Sequence, residues 1–302
     1  GAVANIVSIR DSLTHLDGEV RKLAVEILAG LGQKLWPLDV ASLAALLAAP
    51  DGYVREAAAW ALGRIGEAAA SHATALALLL QDPDWGAQVA GAAALARIGP
   101  EAAQDAEEGA ELLSGMLRHP DRERRIASAE GLAYMGAAGA IFAGNVAENL
   151  VDPVLRVRQA AARALGDMGE AGAAYADRLA PLLQNPHMRH AAIGALTTLG
   201  SHHDEVAALL VSPEWFVRRD ALLGLAASGH GAAAHAKAVA SLLSDPHRDV
   251  RLSAVGALAA AMPVTAGYAG PLRQLVNNEV EDLDIRRAGK VLLEAMECTT
   301  SN

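Results

Sequence analysis

Cysteine is nearly missing from this chain: Cys298 is the one thiol in 302 residues, so no internal disulfide can brace the fold. A reducing compartment follows as the expectation, cytoplasmic or an organelle interior. Aromatic residues are scarce at 3%, while Ala alone exceeds a fifth of the chain. A core built from such small side chains suits thin, closely spaced helical layers. No apolar run approaches the ~18 residues that a membrane-spanning helix needs, so no membrane insertion is expected. Positive charge is also short, with 25 Lys and Arg against 35 Asp and Glu and a net charge of −10. That balance disfavours nucleic acid as a partner. Gly-x-Ser-x-Gly, Walker-type and dinucleotide-binding fingerprints are absent as well.

What the chain does have is one helical phrase, Val-Arg-x-x-Ala-x-x-x-Leu, written nine times. Its Arg position, the anchor, is filled by Arg21, Arg55, Gln88, Arg125, Arg158, Arg189, Arg218, Arg251 and Arg286. Seven residues after each anchor stands Leu: 28, 62, 95, 132, 165, 196, 225, 258 and 293. Three residues after each stands Ala, Gly or Ser. Spacings of 29 to 37 residues are those of stacked helix pairs. Length alone suggests two domains; the repeat points instead to a single solenoid over 1–302.

Each unit then reads as a short helix A, a turn and a longer helix B carrying the phrase. Asp152-Pro153, Asn185-Pro186, Ser212-Pro213 and Asp245-Pro246 predict a capping side chain with Pro at the first position of helix B. Gly32, Gly66, Gly99, Gly136, Gly169, Gly200 and Gly229, eleven residues past their anchors, predict helix closure in the left-handed conformation. Met262 and Glu297 replace Gly in the last two units. The shortest spacings, 31 and 29, lie between Arg158 and Arg218 and predict an irregularity in the array there. An Arg in the first turn opposes the helix dipole. Its recurrence predicts a ladder of ion pairs to Asp residues of the same or the next turn, with Asp17, Asp51, Asp121 and Asp282 four residues before their Arg.

These phrases resemble HEAT-type repeats, in the short form of phycobilisome lyase subunits, over about residues 5–297. The resemblance implies an all-α, right-handed α-solenoid of about nine HEAT-like helix pairs. It further implies a non-enzymatic scaffold or adaptor, a subunit of or assembly factor for a larger complex, with no cofactor. A bilin lyase or chromophore-handling chaperone is the alternative that the resemblance carries. The iron-dependent branch of such folds, deoxyhypusine hydroxylase, uses His-Glu ligand pairs, and no His-Glu dipeptide occurs here. The DNA-glycosylase branch needs a basic surface, against the charge of this chain.

Ten histidines raise a metal site, the densest group being His187, His190, His202 and His203. No carboxylate or Cys recurs at ligand spacing, so solvated turn histidines are expected and no metal. Glu101, Asp105, Glu107, Glu108 and Glu111 read as a solvated helix face. Trp85 and Trp215 share one column, three before the anchor; such a ring either shields the joint between repeats or docks a partner.

On helix B the positions one before, three after and seven after the anchor face the core. Positions one and five after it share another stripe, which in such solenoids lines the concave side. From Lys22/Glu26 the stripe runs through Trp60, Val89, Ile126, Glu130, Arg163, His190, Arg219, Leu223 and Leu252 to Arg287/Val291. It turns from acidic to basic along the chain, and it carries apolar residues where a solvated stripe would be charged. Trp60, Val89, Ile126, Glu130, Arg163, His190, Arg219, Leu223, Leu252 and Arg287 are the expected contacts for a protein partner. Packing of each helix B against the next is the competing explanation.

Overall fold

The computed structural model describes residues 12, 15, 20, 23, 27, 40–99, 102–262 and 267–300. The first anchor Arg21, with Asp17, Lys22, Ala24, Glu26, Leu28 and Gly32, lies outside them, as do Glu101 and Pro263. The described residues form helices and turns with no strand. The chain divides into two compact units, Gly1–Ala171 and Gly172–Asn302.

In unit 1 the B helices are α1 (Gly52–Ile65), α2 (Trp85–Leu95), α4 (Arg122–Tyr134) and α5 (Leu155–Asp167), while α3 (Ala103–Met116) is the one long A helix there. Unit 2 has B helices α6 (Arg189–Thr198), α7 (Trp215–Ser228), α8 (Arg248–Ala260) and α10 (Leu283–Thr300), with A helix α9 (Ala269–Asn277) before the last. The remaining A helices are single turns such as Ala73–Leu78, each tightening into a 3-10 turn. No helix of the described residues is long and apolar enough to cross a membrane.

The anticipated core register is present in both units. Val54, Ala58 and Leu62 of α1 are fully buried, as are Ala161 and Leu165 of α5 and Ala254 and Leu258 of α8. In the column before the anchor Val20 and Arg124 are half-buried, where the other repeats bury Val, Ala, Met or Ile. Gly takes the expected positive φ at these ends, but not the left-handed helical well: Gly66 has φ 74° with ψ −140° and Gly136 φ 60° with ψ −125°, backbone open essentially to Gly alone, and the Gly66 amide bonds the Leu62 carbonyl.

The proline turns differ from expectation. Helices α5, α7 and α8 begin two residues after their Pro, and α6 three after Pro186, so Pro sits in the turn, as Pro83 does before α2, and not at the first helical position. Asp82, Asp152 and Asp245 accept the amides of Asp84, Val154 and His247 at 2.8 Å, closing Asx turns. The caps are the residues after Pro; Asp84 accepts from Gly86 and Ala87. In that turn each Asp keeps its carboxylate free to meet the preceding repeat.

The Arg ladder exists, and its rungs run forward only. Arg55 donates to both Asp82 oxygens (2.7 and 2.6 Å), Arg125 to Asp152 (2.9 and 3.1 Å), Arg218 to Asp245 (2.7 and 2.9 Å) and Arg251 to Glu281 (2.7 and 2.8 Å). Asp51 and Asp121 cap their own helices instead. The third nitrogen of Arg55 donates to the Ala49 and Pro50 carbonyls, at the end of its own helix A. That contact explains why a cation is tolerated at the start of helix B: its charge rests on the carbonyl end of the neighbouring element. Gln88 keeps only the local bond, to the Asp82 carbonyl. Arg158 bonds the Asp152 and Pro153 carbonyls, and residue 185, 27 positions on, is Asn.

These partners shift the acids. The Arg55 hydrogen bonds hold Asp82 below the usual carboxylate range against its burial. Burial pushes Asp245 up, but Arg218 and the His247 amide together leave it lowered; Arg251 lowers Glu281.

Candidate functional site

The B-helix stripe extends further than anticipated, because helix neighbours recur at four residues in both directions. Positions three before and one, five and nine after the anchor form one row on each helix. In unit 1 the row reads Gly52, Glu56, Trp60 and Arg64 on α1, and Trp85, Val89 and Ala93 on α2, with Arg97 just past its end. It continues as Arg122, Ile126, Glu130 and Tyr134 on α4, and Leu155, Gln159, Arg163 and Asp167 on α5.

Several row members are not surface. Val89 is 3% exposed, Ala93 is fully buried and Ile126 is 8% exposed. Val89 lies against Gly131 of α4, where an added Cβ would come within 3.0 Å of it. Ile126 packs with Val157, Ala160 and Val154. The anticipated contact role of Val89 and Ile126 is therefore corrected: both are joints between successive B helices, the competing explanation. Their small neighbours let the helices close over them.

What remains open in unit 1 is an aromatic and arginine cluster. Trp60 is half-buried and meets Tyr134 edge-on, with ring centroids 5.0 Å apart. The Arg97 guanidinium stands 4.7 Å from the Tyr134 ring centre. Arg64, Gly66, Arg97 and Tyr134 line a cleft of about 760 Å³. Beside it, Glu130, Tyr134, Arg163 and Asp167 line another of about 530 Å³. Glu130 and Arg163 are exposed and 3.9 Å apart, a loose pair screened by solvent. The sequence reading missed Arg64, Arg97 and Tyr134; the row's own four-residue period would have reached them.

In unit 2 every member of the row is exposed or half-exposed. It reads Pro186, His190, Gly194 and Thr198 by α6; Trp215, Arg219, Leu223 and Ala227 on α7; Arg248, Leu252, Gly256 and Ala260 on α8; and Leu283, Arg287, Val291 and Ala295 on α10. Leu223 is 51% and Val291 67% exposed. Nothing stands within 4 Å of a Cβ added at Gly194 or Gly256. Arg219 donates to Asp220 at 2.8 Å and lies 5.3 Å from the Trp215 ring; His190 is 3.3 Å from the same carboxylate. Trp215 stacks on His247 of the next repeat, centroids 3.7 Å apart and planes within 9°. This tryptophan shields a joint between repeats.

Two further histidines pair with a carboxylate, His202 with Asp177 and His235 with Asp204, each at 3.2 Å. Among the described residues no group of three metal-binding side chains gathers.

Comparison with known proteins bears on this geometry. The family model for HEAT repeats matches residues 8–79, 40–133 and 109–197. The chain belongs to the HEAT-repeat family. No protein of curated function matches it by sequence. Yeast importin-beta (Kap95p) superposes with a TM-score of 0.59 at 14% identity, over 97% of this chain and 45% of that one. YibA of E. coli gives 0.51 at 18% identity, over 93% and 98%. The CpcE–CpcF complex of phycocyanin lyase from Nostoc gives 0.42 at 20%, over 96% and 94%. For importin-beta and YibA the likeness, at these identities, is one of fold.

Proposed function

We propose that this HEAT-repeat chain is a non-enzymatic protein-interaction scaffold that holds a partner on the exposed row of its B helices. The observation that carries this reading is the row of unit 2. Single exposed apolar residues are ordinary on any protein. Here Leu223, Leu252, Leu283 and Val291 stand on one row across successive B helices, already set by the packed core behind them. A preformed surface loses little freedom on binding, so more of the contact energy appears as affinity. The Trp60–Tyr134–Arg97 cluster supports the same role in unit 1, since Trp, Tyr and Arg dominate interface energies. The family setting agrees, HEAT repeats being solenoids whose long faces suit protein partners.

The test is affinity capture from the native source with the wild-type chain and with Leu223→Asp plus Val291→Asp, both first shown to melt alike. Proteins held by the wild type and lost by the variant support the row as the binding surface. Equal retention of every captured protein overturns it.

A further inference from the structure

We infer that Ser212 is a phosphorylation site, and that its phosphate supplies a rung the arginine ladder lacks, by receiving the Arg189 guanidinium across the joint between α6 and α7. The first observation is register. In the three Asp rungs the acid stands six residues before the anchor of its own repeat: Asp82 before Gln88, Asp152 before Arg158 and Asp245 before Arg251. Ser212 stands six before Arg218. It forms the same turn, its Oγ accepting the Glu214 amide at 3.3 Å where the three Asp side chains accept theirs. Its carbonyl takes the Arg218 side chain at 2.7 Å, as the Asp152 and Asp245 carbonyls take Arg158 and Arg251. What this turn lacks is the carboxylate.

The second observation is the donor. Arg189 anchors the preceding repeat, and among the described residues it makes no ion pair. Its Nε donates to the Leu183 carbonyl at 2.9 Å, and its two terminal nitrogens have no partner among those residues. This repeat is the shortest, 29 residues from anchor to anchor, and α6 packs directly on α7. Glu214 is the other acid at the turn. It is exposed and accepts the Ser212 hydroxyl at 2.8 Å; that bond first, and the Arg189 charge after it, hold its carboxyl below the usual range. The field of Arg189 therefore already reaches this turn. A second acid two residues on is no obstacle to a rung, since Asp84 follows Asp82 in the same way beside Arg55.

The third observation is access. Ser212-Pro213 is the one Ser-Pro or Thr-Pro pair in the chain. Val211, Pro213 and Glu214 are exposed around the half-buried Ser212. A proline-directed protein kinase would join Ser212 Oγ to the γ-phosphorus of a nucleoside triphosphate as the bond to the bridging β–γ oxygen breaks. The nucleoside diphosphate leaves, and the hydroxyl proton passes to the base of the kinase. The product carries nearly two negative charges, one bond further out than an Asp carboxylate, close to the amide end of α7.

The experiment uses the full chain, unmodified and with phosphoserine placed at 212 during synthesis, and reads thermal melting by circular dichroism. The phosphorylated chain is expected to melt about 3 °C higher. Arg189→Gln should remove that gain, and Ser212→Asp, which recreates the acid of the other rungs, should reproduce part of it. Separately, a proline-directed kinase with magnesium and ATP should phosphorylate the wild-type chain at Ser212, mapped by mass spectrometry, and leave Ser212→Ala without phosphate. An unmodified Ser212 after that treatment overturns the site. A melt that does not rise with phosphoserine, or a rise that survives Arg189→Gln, overturns the rung.

Discussion

Units 1 and 2 are written in the same repeat and share the same buried columns and the same arginine rungs, yet the same surface row has opposite fates in them. In unit 1 it closes on itself. Val89, Ala93 and Ile126 are buried, and what stays open is a cluster of rings and guanidiniums. In unit 2 nothing in the row is buried. The difference lies in what lines the approach between B helices. α2 is Ala- and Gly-rich and nearly wholly buried, and an added Cβ at Gly63 of α1 would stand 2.9 Å from the Ala94 backbone. In unit 2 the open glycines, Gly194 and Gly256, are on the row itself. Small residues between helices draw them together; small residues on the outer row leave room for something else.

Substitutions at six positions sharpen or break this comparison. The largest effect is expected where the units agree. Asp82→Ala leaves the Arg55 guanidinium without its bidentate partner and should cost about 3 kcal/mol in chemical denaturation. Asp245→Ala should do likewise in unit 2. Because Asp82 is lowered when folded, its contribution is present above the unfolded carboxylate value, about 4, and is lost as pH falls through the folded one. Wild type should therefore lose stability on acidification below about pH 4, and Asp82→Asn should lose less. An unchanged pH profile in the variant would remove the rung from the account.

Next comes the row itself. Ile126→Ala should cost about 3 kcal/mol, as truncation of a buried aliphatic does, whereas Leu223→Ala should stay within about 0.5 kcal/mol. Equal costs, read from urea midpoints, would erase the distinction between the two units. Gly63→Ala is expected to destabilise by about 2 kcal/mol, since the helices must part to admit a methyl group beside Ala94. The smallest effect reverses sign: Gly194→Ala adds a methyl to open space in mid-helix and should stabilise by about 0.5–1 kcal/mol. A loss of stability there would show the row of unit 2 to be packed after all.

The sequence by itself determined the repeat, its helical class and its core register, because those depend on a 3.6-residue period that a buried Val-Ala-Leu triplet reports directly. Closure by Gly66 and Gly136 was equally legible, since few other residues tolerate that backbone conformation. Tertiary structure alone decided the rest. That Asp82 serves Arg55 and Asp51 does not is a matter of which turn the next repeat presents, not of spacing within one unit. That Pro83 sits in an Asx turn follows from Asp82 facing the preceding repeat. Above all, Val89 and Ile126 share their register, one after the anchor, with the half-exposed Leu252, and nothing local distinguishes them. Whether a residue on that row meets water or a neighbouring helix depends on how closely two helices approach, and that distance is set by side chains from both of them.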